Sequence, residues 1–273
     1  MNKFQGILIC TDLDGTLLKN DKTISRENLD AIRYFQSQGG YFTFVTGRMP
    51  FFVTPIVEML RPNAPIGCIN GGGVYDFAAM RYLWRQEMPR SVLELVEHAD
   101  RAIDGLGVQV NLFDRILFCR DNAATDDFRR VTGVPHWIGR YEDIHEPIAK
   151  IVFCDHDEEH IERLTELLHA HPRADEFDFI RSEQSLYEIL PKGIHKGVAL
   201  PRLAELLGVD MSRTVAVGDY NNDIGMLRVA GCGVAVANAC PEAKAAADRV
   251  TVSNEESAIA RIIEDIESGE LKI

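Results

Sequence analysis

An apolar run that ends in two carboxylates and a glycine constrains this chain more than any other feature: Ile7-Leu8-Ile9-Cys10-Thr11-Asp12-Leu13-Asp14-Gly15-Thr16-Leu17. Residues Ile7 to Cys10 do not alternate apolar with polar, so they read as a strand covered on both faces. Asp12 and Asp14 lie two apart, so both carboxylates can project from the carboxyl end of that strand, where open α/β sheets bind ligands. Gly15 lets the backbone turn tightly just past them. Asp also ends strands and caps turns, and an isolated Asp-x-Asp-Gly would carry no more than that. Two adjacent carboxylates repel unless a cation, a proton or a set of donors compensates, and a divalent cation is the simplest answer.

The rest of the chain supplies three more segments with suitable chemistry. Ser25 can cap a helix whose Leu29, Ile32 and Phe35 recur at helical spacing, with Gly39-Gly40 as its stop. Tyr41 to Val45 reads as the next strand, with Thr46-Gly47-Arg48 at its carboxyl end. Ile66 to Ile69 gives a third strand, running into Asn70-Gly71-Gly72-Gly73, which permits either close backbone approach or a hairpin turn. Thr214 to Val217 is a strand that ends at Gly218-Asp219-Tyr220-Asn221-Asn222-Asp223, followed by strands at Cys232 to Val236 and Arg249 to Val252. Helices lie between them, and the last opens with the capping-box pattern Ser253-Asn254-Glu255-Glu256. The alternation is that of an α/β, doubly wound, Rossmann-like parallel sheet.

The middle of the chain breaks this rhythm. Ser91 to Ile103 is an amphipathic helix, Gly107 to Phe113 and Arg115 to Arg120 form a hairpin, and a strand, a helix and a second strand pair follow from Ile148 to Leu190. Helices with antiparallel hairpins suggest an inserted α+β module. The expected division is a core of residues 1–84 and 192–273 with an inserted domain at 85–191.

Asp12-Leu13-Asp14-Gly15-Thr16 resembles the first motif of the haloacid dehalogenase-like hydrolase superfamily. Thr46-Gly47-Arg48 resembles the second, Lys196-Gly197 the third and Gly218 to Asp223 the fourth. Their order and spacing are similar to those of the Cof-type phosphatases with a large cap, over the whole chain. The resemblance implies a Mg²⁺-dependent phosphatase in which Asp12 attacks phosphorus and forms an aspartyl phosphate. Asp14 would protonate the leaving alkoxide and later activate water. Asp12 and Asp219 would bind Mg²⁺ by side chain and Asp14 by its backbone carbonyl, while Asp223 orients a metal-bound water. Charge on the phosphoryl group needs fixed donors: the Thr46 hydroxyl, the Gly47 N–H, the Lys196 ammonium and the Asn222 amide are the candidates.

Context places Lys196 at the start of a helix whose Pro201 makes the first turn irregular. Arg48 receives no catalytic role and is expected in a surface or structural ion pair, and His195 is read as structural. In the insert, His136, Trp137, Arg115 and Arg120 are read as packing or solvated surface.

The net charge of −13 argues against a general nucleic-acid or anionic-membrane binder, so any phosphate site must be locally positive. At 46% hydrophobic residues the chain can bury a sizeable core, yet no apolar run approaches the ~20 residues of a membrane span. Neither a signal-peptide pattern nor a Cys-x-x-Cys pair occurs, so a cytoplasmic location is expected and the six cysteines read mainly as buried hydrophobes. Small phosphorylated metabolites are the expected partners, with sugar phosphates and phosphorylated cofactors as the class the family implies. Two other readings stand beside the phosphatase: a phosphomutase using the same aspartates, and a non-enzymatic phosphometabolite sensor, which would be expected to lose Asp14 or the metal carboxylates.

Overall fold

Leu8–Thr11 is buried along its whole length and lies between two parallel neighbours, Tyr41–Phe44 and Thr214–Gly218. In the computed structural model, which describes residues 2–273 apart from the side chain of Glu183, these strands belong to a five-stranded parallel sheet. Its order is Arg249–Val250, Cys232–Ala235, Thr214–Gly218, Leu8–Thr11, Tyr41–Phe44. The register pairs Thr11 with both Phe44 and Val217, so the segments carrying Asp12, Thr46 and Asp219 leave the sheet at one end. Parallel register thus brings three distant stretches of sequence to one end of the sheet.

Helices cover this sheet for the reasons read from the sequence. Ser25 caps Arg26–Ser37 by accepting the Asn28 N–H at 3.2 Å, and Ile32 and Phe35 are buried. Asn28 is buried as well, and its Oδ1 accepts the Ala260 N–H at 2.9 Å, joining this helix to the helix Ala258–Ser268. The Ser253 capping box exists, but it closes the 3-10 turn Asn254–Glu256 ahead of that last helix.

One strand departs from the expected pattern. Ile66–Cys68 touches the parallel sheet at the single bridge Val45–Gly67 and pairs antiparallel with Gly73–Asp76, which in turn pairs with Arg81–Arg85. A three-residue strand gains too few ladder bonds from one neighbour, and the hairpin supplies the rest.

The chain divides into two compact units, Met1–Arg85 with His195–Ile273, and Gln86–Ile194. Residues just before His195 stay with the second unit because the Gly193 N–H donates to Asp178 at 2.7 Å and the Ile194 N–H to the Pro191 carbonyl at 3.1 Å. The second unit holds a six-stranded sheet, in the order Phe177–Glu183, Leu186–Pro191, Ile148–Cys154, Gly107–Leu112, Ile116–Arg120, Trp137–Ile138. All pairs are antiparallel except the last. The helices Val92–Ala102 and Glu158–His169 pack through Val92, Leu95, Val96, Ile161, Leu164 and Leu168 onto its apolar residues, which include Val108, Val110, Ile151 and Phe153. Among the described residues no helix is long and apolar enough to cross a membrane.

The helix Ala123–Thr132 and the short strand Trp137–Ile138 escaped the sequence reading. This helix buries only Ala124 and Thr125, and its only large apolar residues are Phe128 and Val131, so it offers little apolar surface to read. Its mark in the sequence is the cap: Asn122 accepts the Thr125 N–H at 3.0 Å, and the Thr125 hydroxyl accepts the Asn122 N–H at 2.8 Å. Arg115, Arg120, His136 and Trp137, read from the sequence as packing or solvated surface, have partners within the unit. Arg115 pairs with Asp114 and stacks over Trp137, Arg120 pairs with Asp100, and His136 meets Asp121 at 2.8 Å.

The Asn122 amide also donates to the Cys154 carbonyl at 2.8 Å and the Gly105 carbonyl at 3.0 Å, tying helix to sheet. Asn122→Ala should therefore destabilise this unit by about 2 kcal/mol, the upper end for a lost cap. Val131→Ala on the same helix, at 79% exposure, should change stability by less than about 0.5 kcal/mol. Thermal or urea denaturation compares them, and equal losses would contradict the anchoring role.

Candidate active site

Asp12 lies just beyond the carboxyl end of Leu8–Thr11, its N–H donating to the Val217 carbonyl at 2.8 Å. Its Oδ1 meets the Lys196 ammonium at 2.6 Å, and the same ammonium meets Asp223 Oδ1 at 2.6 Å. All three residues are buried, with Lys196 only 1% exposed. Lys196 sits in the 3-10 turn Lys196–Val198 that leads into the helix Ala199–Leu207. Pro201 is the third residue of that helix, where no intrahelical N–H is needed.

Asp219 follows the central strand Thr214–Gly218 and accepts the Thr16 hydroxyl at 2.7 Å. Gly15 is required beside it: its φ is +78°, and a Cβ there would stand 2.5 Å from Asp219 Oδ2. Asp223 holds the loop from within, Oδ2 accepting the Asp219 N–H at 2.9 Å and the Tyr220 N–H at 3.0 Å. Both Asp223 oxygens are thus occupied by protein donors, which makes it the scaffold of the Asp219 loop and the second counter-charge of Lys196.

Oxygens of Asp12, Asp219 and Asp223 lie within 4.8 Å of one another, the one such grouping of potential metal ligands among the described residues. One ammonium cannot balance three carboxylates. Burial pushes the Asp12 carboxyl well up, and Asp223 and Asp219 push it the same way against the pull of Lys196. Asp219 is pushed up to about 6, chiefly by burial and further by Asp223, against the pull of the Thr16 hydroxyl and Lys196. Burial works against the charge on Lys196 too, but Asp12 and Asp223 outweigh it and keep the ammonium protonated. An all-oxygen donor set with excess negative charge fits a hard divalent cation such as Mg²⁺.

Asp14 occupies a different environment. The Arg48 guanidinium grips it with two bonds, Nε to Oδ2 at 3.0 Å and Nη2 to Oδ1 at 2.7 Å, and Lys22 Nζ donates to Oδ1 at 2.9 Å. Partial burial pushes this carboxyl up, but Arg48 and Lys22 outweigh it and hold Asp14 below the ordinary carboxylate value. Arg48 is thus in an ion pair, and its partner is the second carboxylate of the first motif. Lys22 carries no mark in the sequence that would have singled it out.

The proposed phosphate donors fall in neighbouring loops. Thr46 is buried, and its hydroxyl accepts the Arg48 N–H at 3.2 Å. Asn222, partly buried, donates its amide to Asn70 Oδ1 at 3.3 Å. Gly47 packs beside that same amide, 2.9 Å separating Asn70 Oδ1 from where a Gly47 Cβ would be. The structure therefore draws Asp12, Lys196, Asp219 and Asp223 into one cluster, links Thr46 and Asn222 through Asn70, and sets Asp14 with Arg48 and Lys22.

Comparison with known proteins identifies the family. A family model described as haloacid dehalogenase-like hydrolase matches residues 9–263. The 5-amino-6-(5-phospho-D-ribitylamino)uracil phosphatase YwtE of Bacillus subtilis (strain 168) is 30% identical, over 96% of this chain and 98% of its own. The phosphatase YitU of the same organism, named for the same substrate, is 29% identical over 94% and 96%. Among solved structures, a haloacid dehalogenase-like hydrolase from Bacteroides thetaiotaomicron superimposes with a TM-score of 0.85 at 27% identity, covering 96% of this chain and all of the other. The chain, an enzyme built as an α/β core with an inserted α+β unit, belongs to the haloacid dehalogenase-like hydrolases.

Proposed function

We propose that this enzyme is a Mg²⁺-dependent phosphatase that hydrolyses small phosphomonoesters through an aspartyl phosphate on Asp12. The observation that carries the reading is the buried carboxylate cluster around one ammonium, Asp12 and Asp223 on Lys196 with Asp219 alongside. Asp12 and Asp219 would hold the cation by side chain and Asp14 by its backbone carbonyl. When bound, Mg²⁺ supplies positive charge to the carboxylates and to the phosphoryl oxygens.

The protein's own groups account for the remaining steps. Asp12 forms a bond to phosphorus as the ester P–O bond breaks, while Asp14 gives its proton to the departing alkoxide. In the second step Asp14 takes a proton from water, whose oxygen attacks phosphorus and releases Asp12 and inorganic phosphate. Thr46, the Gly47 N–H, Lys196 and Asn222 hold the phosphoryl oxygens. Because Arg48 and Lys22 favour the ionised form of Asp14, their grip has to loosen as the ester binds if Asp14 is to arrive protonated.

The unit Gln86–Ile194 carries none of the four motif segments, and we assign to it the selection of the alcohol part of the ester. Two relatives are named for a phosphorylated ribitylaminouracil, which supports a sugar-phosphate-like ester as substrate. Phosphate release from a panel of such metabolites, with Mg²⁺ and with EDTA, tests class and substrate together. Activity undiminished by EDTA would sink the metal requirement, and isomerised sugar phosphate without free phosphate would indicate a mutase.

Asp12→Asn should lower kcat by at least about 10³-fold with the fold intact, since it removes the nucleophile at constant volume. Near-normal turnover by a folded variant would refute the covalent step. Asp14→Asn should cost roughly 10²–10⁴-fold on an alkyl phosphate and much less on p-nitrophenyl phosphate, whose leaving group hardly needs the proton. Equal losses on the two esters would count against the acid role.

Proton and cation compete for Asp219. With its carboxyl raised to about 6, the cation-free fold binds more protons than the unfolded chain between the ordinary value of 3.8 and about 6, so its stability falls as pH rises through that window. Mg²⁺ displaces the proton, and its affinity should weaken as pH falls below about 6. The rise in Tm given by Mg²⁺ should be larger at about pH 7.5 than at about pH 5, and Asp219→Asn should largely abolish it. An unchanged metal titration in that variant would remove Asp219 from the ligand set.

A further inference from the structure

Ile69 and Asn70 both adopt the left-handed backbone, with φ of 55° and 51°, in the buried 3-10 turn Ile69–Gly71. Asn tolerates this conformation, but for β-branched Ile it is an outlier, and such strain persists only where surroundings impose it. The surroundings here are the phosphate-binding loops. The Asn70 N–H donates to the Thr46 carbonyl at 3.0 Å and the Ile69 N–H to the Arg48 carbonyl at 3.1 Å, so the turn grips the second motif from both sides of Gly47. The Asn70 side chain, in a residue 2% exposed, accepts the Asn222 amide of the fourth motif at 3.3 Å.

Gly71 completes the set. Its φ is +92°, and a Cβ on it would come within 2.2 Å of the His195 carbonyl oxygen and 3.1 Å of Lys196 Cα. Only a glycine lets this turn lie against the backbone that delivers Lys196. The glycine cluster therefore closes the hairpin between Ile66–Cys68 and Gly73–Asp76 and is at the same time a site of close approach between segments far apart in sequence. One turn, outside all four motifs, contacts the second, third and fourth of them.

We propose that Asn70 is a positioning residue for phosphoryl binding, fixing the Asn222 amide and the Thr46-Gly47 backbone relative to each other so that their donors point at one anion. This rests on the reading of Thr46, Gly47 and Asn222 as phosphate donors. A fixed donor is effective only if its orientation is set before the anion arrives. Unheld, the Asn222 amide would spend part of its time turned away, and phosphate binding would weaken while the carboxylate cluster kept its geometry.

The test is a double-mutant cycle in the full-length enzyme with Asn70→Gly and Asn222→Ala, reading KM for p-nitrophenyl phosphate and inhibition by inorganic phosphate. Glycine keeps the left-handed backbone without strain, so the variant separates the side chain from the turn. Asn70→Gly should raise KM and the phosphate inhibition constant by roughly three- to tenfold, the range for one lost neutral hydrogen bond. Its Mg²⁺-induced rise in Tm should match the parent's. In the Asn222→Ala background the same change should add less than about twofold, because the group it orients is gone. Independent, multiplicative effects of the two substitutions, or wild-type phosphate inhibition in Asn70→Gly, would overturn the proposal. If Asn222→Ala alone left phosphate inhibition unchanged, the donor reading itself would fall, an outcome distinct from a silent Asn70→Gly.

Discussion

A buried ammonium shared by two carboxylates governs the rest of this structure. Lys196 holds Asp12 and Asp223 at 2.6 Å each, and both partners are themselves fixed to the central strands. Asp12 is bonded through its N–H to Val217, and Asp223 binds the backbone of Asp219 and Tyr220. The lysine, arriving from a different part of the chain, therefore sets the spacing between the loops that follow two adjacent parallel strands. Its removal would leave two carboxylates buried without their counter-charge, the situation that is costly in protein interiors. The same arithmetic shows why the cluster could hold a cation: three ionised carboxylates around one ammonium would carry excess negative charge in a largely buried place.

Much of this was legible because parallel strands buried on both faces are written as continuous apolar runs. Ile7 to Cys10 and Thr214 to Val217 announce both a strand and the place where it ends, and the polar residues after each end were the candidate site residues. Ser25 and the apolar spacing after it announced the first helix in the same way. The sequence was less informative where structure depends on partners far along the chain. Ile66–Cys68 is apolar whether it joins the parallel sheet or a separate hairpin, and only its neighbours decide. Asn70-Gly71-Gly72-Gly73 reads equally as a flexible turn or a close approach until the backbone of His195 is seen against Gly71. The helix Ala123–Thr132 has few apolar residues and buries little, leaving the Asn122 cap as its main signature.

Arg48 illustrates a related limit. Thr-Gly-Arg gave no ground for choosing the arginine's partner, because a guanidinium reaches several residues away in any direction. The structure supplies a bidentate pair with Asp14, the geometry at which arginine outperforms lysine.

That pair also separates two carboxylates which the sequence presents as near equivalents. Asp12 is buried among other acids and pushed well up, while Asp14, two residues away, is held down by Arg48 and Lys22. Environments that drive two acids apart assign them different chemistry. In the proposed mechanism the buried Asp12 carboxylate, held by Lys196, is the nucleophile, and a cation beside it would favour its charged form and so couple attack to the loaded site. A partly exposed carboxylate held by Arg48 and Lys22 would, in the same proposal, exchange protons once those cations release it. The spacing of two residues at the end of one strand is thus enough to give two carboxylates unlike environments, because the loops on either side differ in charge and in access to water, and the proposed division into nucleophile and proton carrier rests on that difference.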